Sequence, residues 1–278
     1  MNIIDGKHVR DLVLNELEKK IKNQNLQIGL DIIYIGNNQA SDLYIKNKIK
    51  YAQQVGIKAT LHQLDENVDE NEVKSLIEKL NDDSKVHGII LQSPIPKHLN
   101  FNYLSGLITQ AKDVDGFNME NVYANYINSE RFLPCTVKGI CYLLDYYKID
   151  IAGKSVVIVG RSLIVGKPLA LALLNRNATV TIAHSKTENL KDICKSADIL
   201  IVAVGNARMI KRDFIKPEAV VIDVGINKSD GITCGDVDFD DIKDICSYIT
   251  PVPGGVGPMT VAMLLDNTYR AYLEVQNG

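Results

Sequence analysis

Ser155-Val-Val-Ile-Val-Gly160-Arg-Ser-Leu-Ile-Val-Gly166-Lys-Pro168 is the stretch whose reading decides the fold. Its first five residues read as a buried strand. Gly160 permits a tight turn, and Gly166 lets the helix that follows approach the sheet closely. The first backbone N–H groups of that helix then face outward, where they suit a pyrophosphate. The segment lacks the full G-x-G-x-x-G of a dinucleotide fingerprint, so a plain strand–helix turn stays open at this point.

Working toward the C-terminus, Thr179–Ala183 reads as the next strand. In an NAD site the end of that strand usually carries an acid for the ribose 2′-hydroxyl. Here it carries His184 and Ser185, and Arg161 stands back at the glycine turn. An arginine with a hydroxyl and no carboxylate suits a 2′-phosphate, because charge-assisted bonds form and no like charge repels. NADP is therefore expected over NAD, a solvated surface arginine being the plainer reading. His184 is given no chemical role. Leu190–Lys195 is a short helix; Ile199–Val204, Val220–Val224 and Ser247–Val252 are strands. Met259 to about Val275 is a closing helix.

Toward the N-terminus the same alternation appears. Val9, Leu12, Val13, Leu17 and Ile21 mark one face of an opening helix. Ile28–Ile35, Lys58–Leu64 and Val86–Gln92 read as strands. Gln39–Val55 and Glu70–Leu80 read as the helices between them. Helical crossovers between strands imply parallel sheets. The expectation is an α/β protein of two domains, an N-terminal parallel α/β sheet domain and a Rossmann-like NADP-binding domain. The segment from about Lys112 to Phe132 shows no strong periodicity, and the domain junction is expected there. In both halves, ligands should lie at the carboxyl ends of the strands.

The 278 residues are 46% hydrophobic and 23% charged, with 31 basic and 34 acidic side chains and a formal charge of -3. No basic cluster supports nucleic-acid binding, and no apolar run approaches the ~18 residues of a membrane span. The first residues have neither the basic start nor the apolar core of a signal peptide. Cys135, Cys141, Cys194, Cys234 and Cys246 show no framework spacing, and the five histidines form no ligand pattern, so no metal is expected. A cytoplasmic enzyme is the default reading.

Ser41, Tyr44 and Lys48 fall on one face of the expected helix. Gln92 follows at the end of a strand, just before Ser93-Pro94-Ile95-Pro96. Lys112-Asp-Val-Asp115-Gly116 places two acids before a turn glycine. A lysine drawn partly out of water exchanges its proton near neutral pH, and a neutral amide orients it without fixing its charge. Asp115 is suited to accept hydrogen bonds from an N–H-rich heterocycle. On the residues alone, solvated charges remain the plainer reading of Lys48 and Asp115. Tyr248–Thr260 is more distinctive, since six of the ten residues from Pro251 are proline or glycine. Such a loop lets a ligand approach main-chain atoms.

Seven segments then occur in order: Ser41-x-x-Tyr44-x-x-x-Lys48, Gln92-Ser-Pro-Ile-Pro96, Lys112–Gly116, Pro134-Cys-Thr-x-Lys-Gly139, Gly160-Arg-Ser-x-x-Val-Gly-x-Pro168, Gly235-Asp-Val237 and Pro251–Thr260. Together they resemble the bifunctional methylenetetrahydrofolate dehydrogenase/methenyltetrahydrofolate cyclohydrolase family, over about residues 5–270. The resemblance implies a folate-binding catalytic domain, residues 1–118 joined by 259–278, and an NADP-binding domain, residues 119–258, with a cleft between them. A homodimer and a part in purine biosynthesis are implied as well. NADP+ would take a hydride from 5,10-methylenetetrahydrofolate, and water would convert the methenyl product to 10-formyltetrahydrofolate.

By the same resemblance Lys48 moves protons in the hydrolysis, Gln92 tunes it, Tyr44 packs at the folate and Asp115 holds the pterin. Ser41, Leu91, Ser93, Pro251, Val252, Pro253, Gly254 and Gly255 line the folate site. Gly160, Arg161, Ser162, Ser185 and Ile226 hold NADP. Ser93 stands where the family usually has leucine, and Val137 where proline follows Cys-Thr. Two alternatives stay open: a dehydrogenase with weak cyclohydrolase activity, and a non-catalytic NADP- or folate-binding regulator.

Overall fold

The computed structural model describes residues 2–129, 131–229 and 231–277, the side chains of residues 39–41, 43 and 277 excepted. In chain order the elements are β1 (Asn2–Ile3), α1 (Gly6–Asn23), β2 (Ile28–Ile35), α2 (Gln39–Val55), β3 (Ile57–Leu64), α3 (Glu70–Asp82) and β4 (Gly88–Leu91). Then come α4 (Phe101–Gly106), α5 (Met119–Tyr126), α6 (Cys135–Tyr146), β5 (Ser155–Val159), α7 (Gly166–Leu174), β6 (Thr179–Ala183), α8 (Leu190–Lys195) and β7 (Ile199–Val202). The last are β8 (Val220–Asp223), β9 (Asn227–Ser229), β10 (Ile232–Cys234), α9 (Phe239–Ile242), β11 (Tyr248–Ile249) and α10 (Val256–Asn277).

These elements form two compact units, residues 1–10 with 136–260 and residues 11–135 with 261–278. The chain enters the first unit twice because β1 pairs in parallel with β11, Asn2 opposite Tyr248 and Ile3 opposite Ile249. That long-range pairing draws residues 1–10 to the larger sheet. By contacts between residues, the chain passes from one unit to the other at 135/136.

The larger unit holds a six-stranded sheet in the order β1-β11-β8-β7-β5-β6, with every neighbouring pair parallel. From β5 the chain first goes outward to β6, then returns across β5 to β7. This reversal is the topological switch point at which doubly wound sheets bind ligands, outside the strands' carboxyl ends. β7 and β8 are buried along their whole length, as continuous apolar strands covered on both faces must be.

The smaller unit has a three-stranded parallel sheet, β3-β2-β4. Its central strand β2 is buried throughout, whereas β3 alternates toward solvent at the edge. Ile33, Val73, Ile77, Ile89 and Leu91 share one apolar cluster between the sheet and α3. Lys112 finishes that helix: its Nζ donates to the carbonyls of Leu80, Asn81 and Asp83 at 3.0, 2.7 and 2.7 Å. A cation there satisfies the orphan carbonyls of a helix C-terminus.

Several elements differ from the sequence expectation. α5 lies in the stretch without hydrophobic period because its pattern is inverted. Asn121 and Asn125 are buried, while Met119 (80% exposed), Val122 and Tyr123 face outward. Its N-terminus is set by Asn118, whose side chain accepts from Glu120 N at 2.8 Å. α4, α6 and the β9–β10 hairpin were not anticipated as elements, and α10 starts at Val256. On α1, Leu12 is 43% exposed and Leu14 fills the core instead.

Candidate active site in two units

In the smaller unit, α2 delivers Lys48 to the carboxyl end of β4. Lys48 is only 8% exposed, and its Nζ donates to Gln92 Oε1 at 2.8 Å. Gln92 cannot drift: its backbone N donates to Ile33 O at 2.8 Å, and its Nε2 donates to Ser93 O at 2.7 Å. The amide oxygen is therefore turned toward the lysine and held there. One Nζ hydrogen goes to Gln92, and among the described residues no other hydrogen bond holds the Nζ.

Tyr44 sits one turn earlier on the same helix and is 39% exposed. Burial of its ring raises the phenol above its ordinary value, so the hydroxyl stays a donor through neutral pH. Asp42 on this helix is engaged by Tyr34, whose hydroxyl donates to it at 2.9 Å. The side chain of Ser41 lies outside the described residues. Leu91 is 3% exposed and packs in the core cluster, so its side chain supports the strand end. Ser93–Pro94 is a cis peptide.

The Lys112–Gly116 turn runs beside β4, Asp113 bridging in parallel to Ile89. Asp115 thus emerges at the same end of the strand as Gln92, half-exposed. Asp113 takes no part in solvent chemistry. It is 1% exposed and accepts from Gly116 N at 3.1 Å, Asn118 N at 2.7 Å and Asn121 Nδ2 at 2.8 Å. Burial pushes its carboxyl up to about 6, against the pull of these donors. From α10, Asn267 donates to Val114 O at 2.8 Å and braces the turn from behind. Asp113 and Asn267 are positioning groups that no spacing rule pointed to.

In the larger unit, Gly160 follows β5 with φ +132°, and a Cβ placed on it would lie 2.3 Å from Ala203 O. A Cβ on Gly166 would lie 2.2 Å from Gly160 O. The two glycines thus open a cradle that any side chain would fill. Ser162 Oγ accepts from Val165 N at 3.1 Å and orders the start of α7. Arg161 and Ser185 are exposed. They follow adjacent strands whose ends are in register, Val159 opposite Ala183. Among the described residues no hydrogen bond or ion pair holds the Arg161 guanidinium. His184 is spent on its own turn, accepting from Lys186 N at 3.2 Å. No carboxylate stands at the end of β6. This donor set fits a dinucleotide carrying a 2′-phosphate.

Ile226 is 47% exposed on the loop after β8. Pro251–Gly255 leads into α10, with Val252–Pro253 cis and Gly254 at φ +123°. Gly255 N donates to Pro251 O at 2.7 Å, and Gly254 O accepts from Lys7 N at 3.1 Å. The loop is therefore closed on itself and tied to the start of α1. A Cβ on Gly6 would lie 1.8 Å from Gly255 O.

Residues 4–115 match the tetrahydrofolate dehydrogenase/cyclohydrolase catalytic domain, and residues 134–276 match the NAD(P)-binding domain of the same family. A bifunctional protein FolD of Agathobacter rectalis is 49% identical over 274 residues, 97% of this chain and 98% of the relative. The chain belongs to the tetrahydrofolate dehydrogenase/cyclohydrolase family. The crystal structure of the bifunctional FolD dehydrogenase/cyclohydrolase from Campylobacter jejuni superposes with a TM-score of 0.97 at 43% identity, covering 99% of both chains. The Trypanosoma brucei dehydrogenase–cyclohydrolase, solved with NADP and an inhibitor, gives a TM-score of 0.94 at 34% identity and covers 99% of this chain and 98% of that one.

Family membership bears out the two-domain α/β expectation and the resemblance drawn from the motifs. The two departures from the family pattern fall on unequal ground. Ser93 contributes its carbonyl to Gln92, a contact any residue supplies. Val137 is 0% exposed on α6 and does only packing work. Sequence reasoning places Asp236 only within the Gly235-Asp-Val237 motif and gives it no role. It is 0% exposed, and its side chain gathers four donors, three from the loop after β7 and one from Asn227 at the start of β9.

Proposed function

We propose that this chain carries out both reactions of its family, with Lys48 as the proton-transfer residue of the hydrolysis. The chain oxidises 5,10-methylenetetrahydrofolate to the 5,10-methenyl form with NADP+ and hydrolyses the product to 10-formyltetrahydrofolate. The observation that carries the residue assignment is the buried Lys48 Nζ held 2.8 Å from Gln92 Oε1.

The two steps ask different things of the protein. When bound, NADP+ supplies the hydride acceptor, and the protein has only to align the two reactants. Gly160, Gly166 and the N-terminus of α7 take the pyrophosphate, and Arg161 with Ser185 takes the 2′-phosphate. Ile226 would complete the residues that hold NADP. Hydrolysis requires proton movement. Water adds to the methenyl carbon and loses one proton. The hydroxyl proton of the adduct then passes to the ring nitrogen as the C–N bond opens. Lys48 takes and returns protons, and Gln92 keeps Nζ aimed without adding a charge. Tyr44 packs and bonds at the folate, and Asp115 accepts from the pterin N–H groups. The Pro251–Gly255 backbone is also assigned to the folate.

A homodimer is supported by β6, the outer strand of the six-stranded sheet. It is five residues long with Ile182 39% exposed, an edge that a second copy would cover. A cytoplasmic place and a supply of formyl groups to purine biosynthesis are part of the same proposal. The deciding experiment follows methylenetetrahydrofolate by absorbance with NADP or NAD and tracks methenyl decay in the same cuvette. Reduced cofactor should form faster with NADP, and the methenyl band should then decay. Cofactor and folate binding without turnover would overturn the reading in favour of a regulator.

A further inference from the structure

Two buried aspartates interlock at the carboxyl ends of β7 and β8. Asp236 is 0% exposed and Asp223 3%. Asp236 Oδ2 accepts from Val204 N at 2.7 Å and Gly205 N at 3.0 Å. Its Oδ1 accepts from Asn206 N and from Asn227 Nδ2, both at 2.8 Å. Asp223 Oδ1 accepts from Gly225 N at 3.2 Å and Asp236 N at 3.0 Å, and its Oδ2 from Val237 N at 2.9 Å. Each carboxyl lies against a glycine of the other's segment. A Cβ on Gly225 would fall 2.1–2.4 Å from the Asp236 carboxyl, and one on Gly235 only 1.8 Å from Asp223 Oδ2.

Three consecutive backbone N–H groups converging on one carboxylate form an anion nest turned inward. Bonds to a charged acceptor are about twice as strong as neutral ones. With four donors satisfied, the carboxylate tolerates its burial, and the loops that supply the donors lose their freedom to swing. What they hold is specific. Ala203, directly before residues 204–206, carries the carbonyl that abuts Gly160. Ile226 stands between Gly225, tied to Asp223, and Asn227, tied to Asp236. An exposed side chain gains nothing for stability from such bracing; a ligand that rests on it does.

We propose that Asp236 is a positioning residue for the dinucleotide: its carboxylate locks residues 204–206 to Asn227 and so holds Ile226 and the backbone beside Gly160 ready for the cofactor. This rests on the placement of NADP at the end of β5 made above. The glycines at 225 and 235 follow from it, since each clears the space that the opposite carboxylate occupies.

Hydrogen exchange on the full-length protein without cofactor tests the bracing directly. Asp236→Asn turns one acceptor oxygen into an NH2 facing N–H donors. Asn227→Ala removes only the tie to the second loop, and it reads the same quantity if the first variant does not fold. Amides 204–206 and 225–227 should exchange at least tenfold faster in either variant, while the strands keep their protection. The dissociation constant for NADP, measured by titration, should rise on the order of tenfold, as loss of a bond to a charged group implies. Unchanged exchange at those amides, or equal acceleration everywhere, overturns the proposal and leaves Asp236 a plain stabilising residue. Exchange of the wild type with and without NADP separates the two readings. If NADP protects neither 160–162 nor 203–206, the cofactor placement has failed. If it protects them while both variants bind NADP as the wild type does, the bracing has failed.

Discussion

Replacing Lys48 by Met separates the two activities of this chain. The methionine stem is similar in length and apolar, so it fills the space of a side chain that is only 8% exposed. What is lost is one charge-assisted hydrogen bond, Nζ to Gln92 Oε1 at 2.8 Å. Gln92 is half-buried, so water reaches the vacated oxygen, and the stability cost should stay near the low end for a bond to a charged group, about 1.5 kcal/mol. The catalytic cost is larger. A positioned proton-transfer group contributes roughly 10²–10⁴-fold, equivalent to about 3–5.5 kcal/mol of barrier at 1.36 kcal/mol per decade. The chemical effect therefore exceeds the folding effect by a factor of about two or more, and the two are separable. Methenyl decay without cofactor should slow by at least a hundredfold. NADPH formation from methylenetetrahydrofolate should persist, because hydride transfer asks for alignment and no side-chain proton. A melting temperature within a few degrees of wild type certifies the fold. Hydrolysis within threefold of wild type would refute the lysine assignment, and parallel loss of both activities would point to a collapsed folate site.

Arg161→Ala should raise KM for NADP at least tenfold more than KM for NAD, read from initial rates with each cofactor. An equal rise would remove the 2′-phosphate reading. Asp113→Asn tests a pH linkage whose sign follows from burial. The folded carboxyl titrates at about 6, above its unfolded value of about 3.9, so the folded state holds its proton where the unfolded chain has lost it. Wild-type stability relative to the variant should then be greatest near pH 4 and fall by up to about 3 kcal/mol by pH 7. Denaturant titrations at several pH values measure it, and a difference that is flat or rises with pH contradicts the assignment. Ile182→Lys on the exposed edge of β6 should shift the assembly toward monomer in sedimentation without unfolding it. An unchanged sedimentation coefficient would move the interface elsewhere.

The alternation of apolar strands and amphipathic helices made both sheets legible, because buried parallel strands and their crossover helices leave periodic marks. α5 escaped because its buried positions are amides, Asn121 and Asn125, and its outward ones are Met119, Val122 and Tyr123. A hydrophobic template reads such a helix as no helix at all. β1 escaped because two residues have no period, and its pairing with β11 spans nearly the whole chain. In the candidate site, Lys48 and Gln92 were picked out by type and position, and the structure joins them. Asp113, Asp223 and Asp236 were not. An acid in a turn or at a strand end reads as solvated until the donors around it are known.

Sequence by itself determined the class of the fold, the glycine turn after β5, the missing acid after β6 and the order of the family's motifs. These rest on chemistry local to a few residues, namely backbone freedom at Gly160, charge at Arg161 and period along a strand. Tertiary structure alone decided that β1 pairs with β11, which carboxylates are buried and which loops they bind together. Asp236 gathers amides 204–206 and the side chain of Asn227. Those donors meet it only because β7 and β8 are neighbours in the sheet. Burial and long-range partners are properties of the packed chain, and they turned ordinary aspartates into the framework of the site.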